Sequence, residues 1–172
     1  MTFNDALAIV LKAEGGFCND SRDPGGMTNL GVTKTTWEAY TGHRASEADM
    51  RALTPAKVAP LYKSRYWNEV CGDYLPPSVA LAVFDFAVNA GPRRAGKMLQ
   101  RIVGVPVDGI VGSATVHAVD GFVDNHGEAE LVRQFTNARR DYYRALGTFT
   151  TFGRGWLRRC DAVETECLKV CK

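Results

Sequence analysis

Three carboxylates within ten residues, Glu14, Asp20 and Asp23, followed by the Thr28 hydroxyl, are the groups in this chain best placed to do chemistry. They lie in EGGFCNDSRDPGGMTNLGVT, residues 14–33, which has glycines at 15, 16, 25, 26 and 31. That many glycines permit tight turns and let a ligand approach the backbone closely. Two carboxyl groups flanking one bond suit glycoside hydrolysis. One protonates the leaving oxygen; the other stabilises positive charge on the sugar or activates water. Glu14 is the candidate proton donor, because Phe3, Leu7, Val10 and Glu14 recur at three- and four-residue steps, placing it at the mouth of a core-facing stripe. A carboxyl group in such a place is partly desolvated, which is how general acids are commonly prepared. The alternative is a surface carboxylate at a frayed helix end.

The elements that must position these groups are nearly all helical. Thr2 with Asp5 predicts a capping box for the first helix, and Gly15 and Gly16 predict its end. A short hairpin is expected around residues 28–33. Helices are expected at 34–41, stopped by Gly42; at 47–53, capped by Ser46 with Asp49; and at 55–67, with Pro55 in its first position. Pro76 and Pro77 open a strongly apolar helix that runs to Ala90, and four more follow near 93–102, 113–120, 128–146 and 155–170. The predicted class is therefore mainly α, with a small loop and hairpin region after the first helix. Asp85 and Asn89 share a face of the apolar helix, so they either form a buried hydrogen-bonded network or, for Asn89, reach a ligand. Tyr66 and Trp67 pose a similar choice, between filling the core and forming a stacking floor for sugar rings.

At 172 residues the chain can bury a sizeable core, either as one domain or as two small halves sharing an interface. We expect the single-core arrangement, with the natural division near Pro76 and Pro77. No run of eighteen apolar residues exists to span a membrane, and no secretory leader is recognisable at the N-terminus. Synthesis in the cytoplasm is therefore expected. The net charge is +2, with −1 in residues 1–77 and +3 in residues 78–172. The basic clusters RRAGK at 93–97 and RGWLRR at 154–159 read as solvated helix faces, so nucleic acid is not an expected partner. The five cysteines match no familiar metal-ligand spacing; buried thiols, with or without one bridge formed after export, are expected instead of a metal site.

Residues 14–33 resemble the signature of the glycoside hydrolase 108 muramidases, found largely in phage endolysins, whose EGG motif carries the catalytic glutamate. The order Glu14, eight residues, Asp23, four residues, Thr28 is also similar to the triad of small phage lysozymes, where five residues separate the last two. LYKSRYWN at 61–68 and LPPSVALAVFDFAVNAGPRRAGKMLQ at 75–100 look like the same family, and VDGIVGSAT at 107–115 resembles the start of its peptidoglycan-binding region. The resemblance implies a lysozyme-like fold, with residues 1–77 catalytic and 78–172 of peptidoglycan-binding type. It implies cleavage of the β-1,4 bond between N-acetylmuramic acid and N-acetylglucosamine by a monomer without a cofactor, acting on glycan strands after holin-type release. Glu14, Asp23 and Thr28 would be catalytic, and Asp20, Asn29, Tyr66, Trp67 and Asn89 would bind substrate. Asp20 competes with Asp23 as second carboxylate. A lytic transglycosylase and a noncatalytic wall-binding module are the rival readings.

Overall fold

A computed structural model describes residues 1–19 and 26–171. Asp20 and Asp23 lie outside the described residues. Helix α1 spans Phe3–Ala13 and opens on the expected capping box: Thr2 N donates to Asp5 Oδ2 at 2.7 Å, and Asp5 N donates to Thr2 Oγ1 at 3.3 Å. Its end differs from expectation. The chain turns at Glu14 itself, whose ψ of 114° is extended, and neither Gly15 nor Gly16 takes a positive φ.

Strands β1 (Thr28–Asn29) and β2 (Val32–Thr33) pair antiparallel, with Thr28 opposite Thr33. Leu30 and Gly31 between them have φ of 49° and 71°, the paired left-handed conformation that closes a two-residue hairpin. Cys18 pairs with the other side of Thr28. Helix α2 (Lys34–Thr41) stops at left-handed Gly42 as predicted, and α3 (Glu47–Arg51) has the predicted Ser46–Asp49 box but is a half-turn shorter.

Helix α4 (Pro55–Tyr62) does not continue to residue 67 in α form. A π turn over Lys63–Trp67 and 3₁₀ turns at Asn68–Val70 and Gly72–Tyr74 follow it. Widening the turn changes the rotation per residue from the roughly 100° of an α-helix, so the face on which Trp67 falls could not be read from α periodicity.

Helix α5 (Pro77–Ala90) is the axis of the molecule, with every residue from Ser78 to Ala87 buried. Helices α6 (Pro92–Val103), α8 (Glu128–Arg144) and α9 (Phe149–Leu168) pack around it, α1 touches it, and α7 (Ser113–His126) packs on α6 and α8. Helix α7 runs past its predicted end at residue 120 through Gly121, and α9 begins six residues before its predicted start at 155, taking in Gly153. In both helices tertiary packing overrides the local cost of glycine. Gly153 is required where it stands, since a Cβ there would lie 2.4 Å from the Phe149 ring. One buried core cluster holds Leu7 and Val10 of α1, Phe84 and Phe86 of α5, Phe135 of α8 and Val163 of α9. All five cysteines are free thiols: Cys160 and Cys167 are buried, whereas Cys18 is exposed. Among the described residues no helix is long and apolar enough to cross a membrane.

Candidate active site

Glu14 sits where α1 gives way to the loop, 20% exposed, beneath the hairpin turn. A Cβ added at Gly31 would lie 2.8 Å from Glu14 Oε2 and 2.6 Å from Tyr62 Oη. Gly31 is thus demanded twice, by its positive φ and by the carboxylate it covers. Tyr62 Oη donates to the Leu30 carbonyl at 2.8 Å, so α4 holds the turn against Glu14. Burial, reinforced by the charge of Glu14, pushes the Tyr62 phenol well above its ordinary pKa and keeps it a donor. The Tyr66 ring lies 5.6 Å from that of Tyr62, and its phenol too is pushed up, by burial first and with Glu14 acting in the same direction.

Glu14 is also engaged by Arg159 of α9, whose Nη1 donates to Oε1 at 2.6 Å. The same guanidinium grips Asp85 on α5: Nη2 reaches Oδ1 at 2.7 Å, and Nε reaches Oδ1 and Oδ2 at 3.0 and 3.1 Å. Asp85 is fully buried and is met from the other side by Arg139 of α8, with Nη1 at 2.6 Å from Oδ2. Arg139 is itself 2% exposed, donates through Nε to Tyr143 Oη at 3.2 Å, and leaves Nη2 unpartnered. Burial alone would raise the Asp85 carboxyl, yet Arg139 and Arg159 outweigh it and hold it below the usual carboxylate range. Burial likewise opposes charge on Arg159, but Asp85 and then Glu14 keep it firmly protonated. A buried carboxylate between two arginines therefore fixes the one that reaches Glu14. Charges this deep are tolerated only when paired and hydrogen-bonded in this manner.

The other predicted positions fare unequally. Thr28 lies in β1, two residues before the turn that covers Glu14, and exchanges both backbone hydrogen bonds with Cys18 at 2.8 Å. Asn89 is exposed at the end of α5, its Nδ2 donating to Asp85 O at 3.2 Å. It lines a groove of about 920 Å³ with Ala13, Trp156 and Arg159, the last of which bonds Glu14. Trp67 is a correction. It is 3% exposed, packs edge-on against Phe3 and Phe84, and its indole donates to Asp73 at 2.8 Å, so no face is left for a sugar. Asn29 is a second correction: its buried amide donates to Met50 O at 2.8 Å and pins the hairpin to α3 instead of facing a ligand.

Arg159 and Arg139 went unrecognised as site residues, and RGWLRR read as a solvated face, which holds for Arg154 and Arg158 but not for Arg159. A signal existed. Arg139 continues the stripe Leu131, Phe135 on α8, and Arg159 lies four residues before Val163 on α9. Two arginines and Asp85, each on the apolar stripe of its own helix, have to find one another.

A helical, lysozyme-like fold that presents a glutamate at a helix end under a hairpin turn defines the class: a glycoside hydrolase. The chain belongs to the glycosyl hydrolase 108 family, whose model matches residues 7–91, and residues 94–161 match a predicted peptidoglycan domain. It is similar to the solved structure of SagA from Brucella abortus, with a TM-score of 0.83 and 40% identity, over 98% of this chain and 94% of that one. No curated protein matches it significantly. Together these matches make it a peptidoglycan hydrolase.

Proposed function

We propose that the chain is an N-acetylmuramidase, cleaving the β-1,4 bond between N-acetylmuramic acid and N-acetylglucosamine, with Glu14 as general acid. The observation that carries this reading is the construction around Glu14: a partly buried carboxylate with Oε1 engaged by Arg159 and Oε2 under the Gly31 turn. Because Oε1 is occupied, Oε2 is the oxygen left to carry the proton to the leaving glycosidic oxygen. In this reading Asp23 or Asp20 serves as the second carboxylate, stabilising positive charge or activating water, and Thr28 positions that water. In the same reading Tyr66, which feels the charge of Glu14, and Asn89, which shares a groove with Arg159, contact the glycan. The family likeness also supports an endolysin-type role, with a separate protein giving the enzyme access to the wall.

Mass spectrometry of muropeptides released from purified peptidoglycan tests the reaction. Hydrolysis leaves a reducing N-acetylmuramic acid end. A 1,6-anhydro end would make the enzyme a lytic transglycosylase, and an absence of cleavage alongside retained binding would make it a wall-binding module.

A further inference from the structure

A second groove, of about 680 Å³, opens at the C-terminal end of α5. Ala90 and Gly91 line it, while Asn89, one residue earlier, lines the groove that Arg159 also lines. The floor is apolar, made by Met98, Ile102, Ala138 and Tyr142. The rim is cationic, made by Arg93, Arg94, Lys97 and Arg101, all exposed. Steps of three and four residues put these four on one side of α6, opposite the face that buries Ala95 and Leu99.

Two of the cations are held in place. Arg94 lies 5.1 Å over the Tyr142 ring and donates to Ala90 O at 2.9 Å, and Arg93 donates to Asp108 O at 3.1 Å. Among the described residues, no carboxylate lies within ion-pair distance of any of the four. On the neighbouring α8, by contrast, Arg140 is neutralised by Asp161 and Glu164, and Arg144 by Asp141. The nearby acid Asp108 directs Oδ1 to Gln100 Nε2 and to the Ile110 amide. Asp108 nevertheless feels the charge of Arg93, so the rim cations left without a described acidic partner are Arg94, Lys97 and Arg101, around an apolar depression.

We propose that this groove binds the free carboxylates of the peptide stems carried by muramic acid, seating a stem while the glycan lies against Glu14. The inference rests on the reading of the chain as a peptidoglycan hydrolase. The glycan offers hydroxyl and N-acetyl groups, whereas the stems carry free carboxylates, which match arginine forks in shape and charge. The apolar floor suits the methyl groups of the stem alanines. An anionic membrane is the weaker match: a surface-binding helix offers its apolar face to lipid, and α6 has buried that face in the core.

The test uses the full chain carrying Glu14→Gln, so that binding is read without digestion. Pull-down is measured on intact sacculi and on glycan strands stripped of stems by an amidase. The triple variant Arg94→Gln, Lys97→Gln, Arg101→Gln should bind intact sacculi about tenfold more weakly, the loss expected when several weak, solvent-screened charge contacts are removed together. The difference should vanish on stripped strands. Unchanged melting shows that the variant is folded, and the reversal Arg94→Glu should exceed the effect of Arg94→Gln. Equal weakening on both substrates, or no weakening on either, overturns the proposal; so does a loss confined to anionic phospholipid vesicles. Stem-dependent binding by a protein whose Glu14 form releases no fragments would leave this site standing and defeat the enzymatic reading alone.

Discussion

Arg159→Met removes the guanidinium that joins the buried Asp85 to Glu14. In the wild type that guanidinium places three contacts of 2.7 to 3.1 Å on Asp85 and one of 2.6 Å on Glu14. Asp85 would keep Arg139 but lose its other partner while remaining buried. Removing one partner of a buried pair costs roughly 3 to 5 kcal/mol, and the surviving Arg139 contact places this case near the lower figure. For a chain of this size 1 kcal/mol moves Tm by about 2 to 4 °C, so the variant should melt roughly 6 to 12 °C lower. Glu14 would also lose its only described ion-pair partner, and a misplaced catalytic group costs up to about 10²-fold in rate. Arg159→Lys is the discriminating control: an ammonium keeps the charge but cannot fork to two carboxylates, so most of both losses should persist. Melting curves and initial rates on purified peptidoglycan, taken with the Asp85→Asn and double variants, give the coupling between the two residues. The reasoning fails if Arg159→Met melts within about 2 °C of wild type and keeps near-full activity.

Gly31→Ala should cost about 1 to 3 kcal/mol for the strained left-handed backbone, and its Cβ would press on Glu14 Oε2, so the rate should fall further than stability alone explains. Rates measured well below the variant's Tm check this, and wild-type turnover there would contradict it. Asp23→Ala should reduce the rate more than Asp20→Ala, given the spacing from Glu14; assays on matched, folded proteins decide, and the reverse order moves the role to Asp20. Residues 1–112 expressed alone should aggregate. Loss of α7 to α9 strips Phe135 and Val163 from the shared core and both arginines from Asp85. A soluble, cooperatively melting fragment would show two independent modules.

Much of the scaffold was legible because its signals are local. The capping boxes at Thr2 and Ser46, the stop at Gly42 and the Pro77-to-Gly91 helix are each written within a few residues. What escaped depends on contacts between distant segments. Gly121 and Gly153 sit inside helices because packing outweighs their local preference. Trp67 entered the core because the π turn rotated the chain beneath it. At the site, the position of Glu14 followed from the periodicity of α1, but its partner lies 145 residues away, and no local pattern joins the two. Only the general requirement that buried charges pair could have suggested that Asp85, Arg139 and Arg159 meet.

The central claim is that Glu14 donates the proton, and Glu14→Gln tests it most directly, since the amide preserves size and can still accept from Arg159. General acid catalysis is worth about 10² to 10⁴-fold, so the variant should retain the wild-type melting profile within a few degrees and release reducing ends from peptidoglycan at no more than about a hundredth of the wild-type rate. A folded Glu14→Gln protein that retains more than about a tenth of that rate would contradict the account, because a loss that small falls below what a general acid supplies.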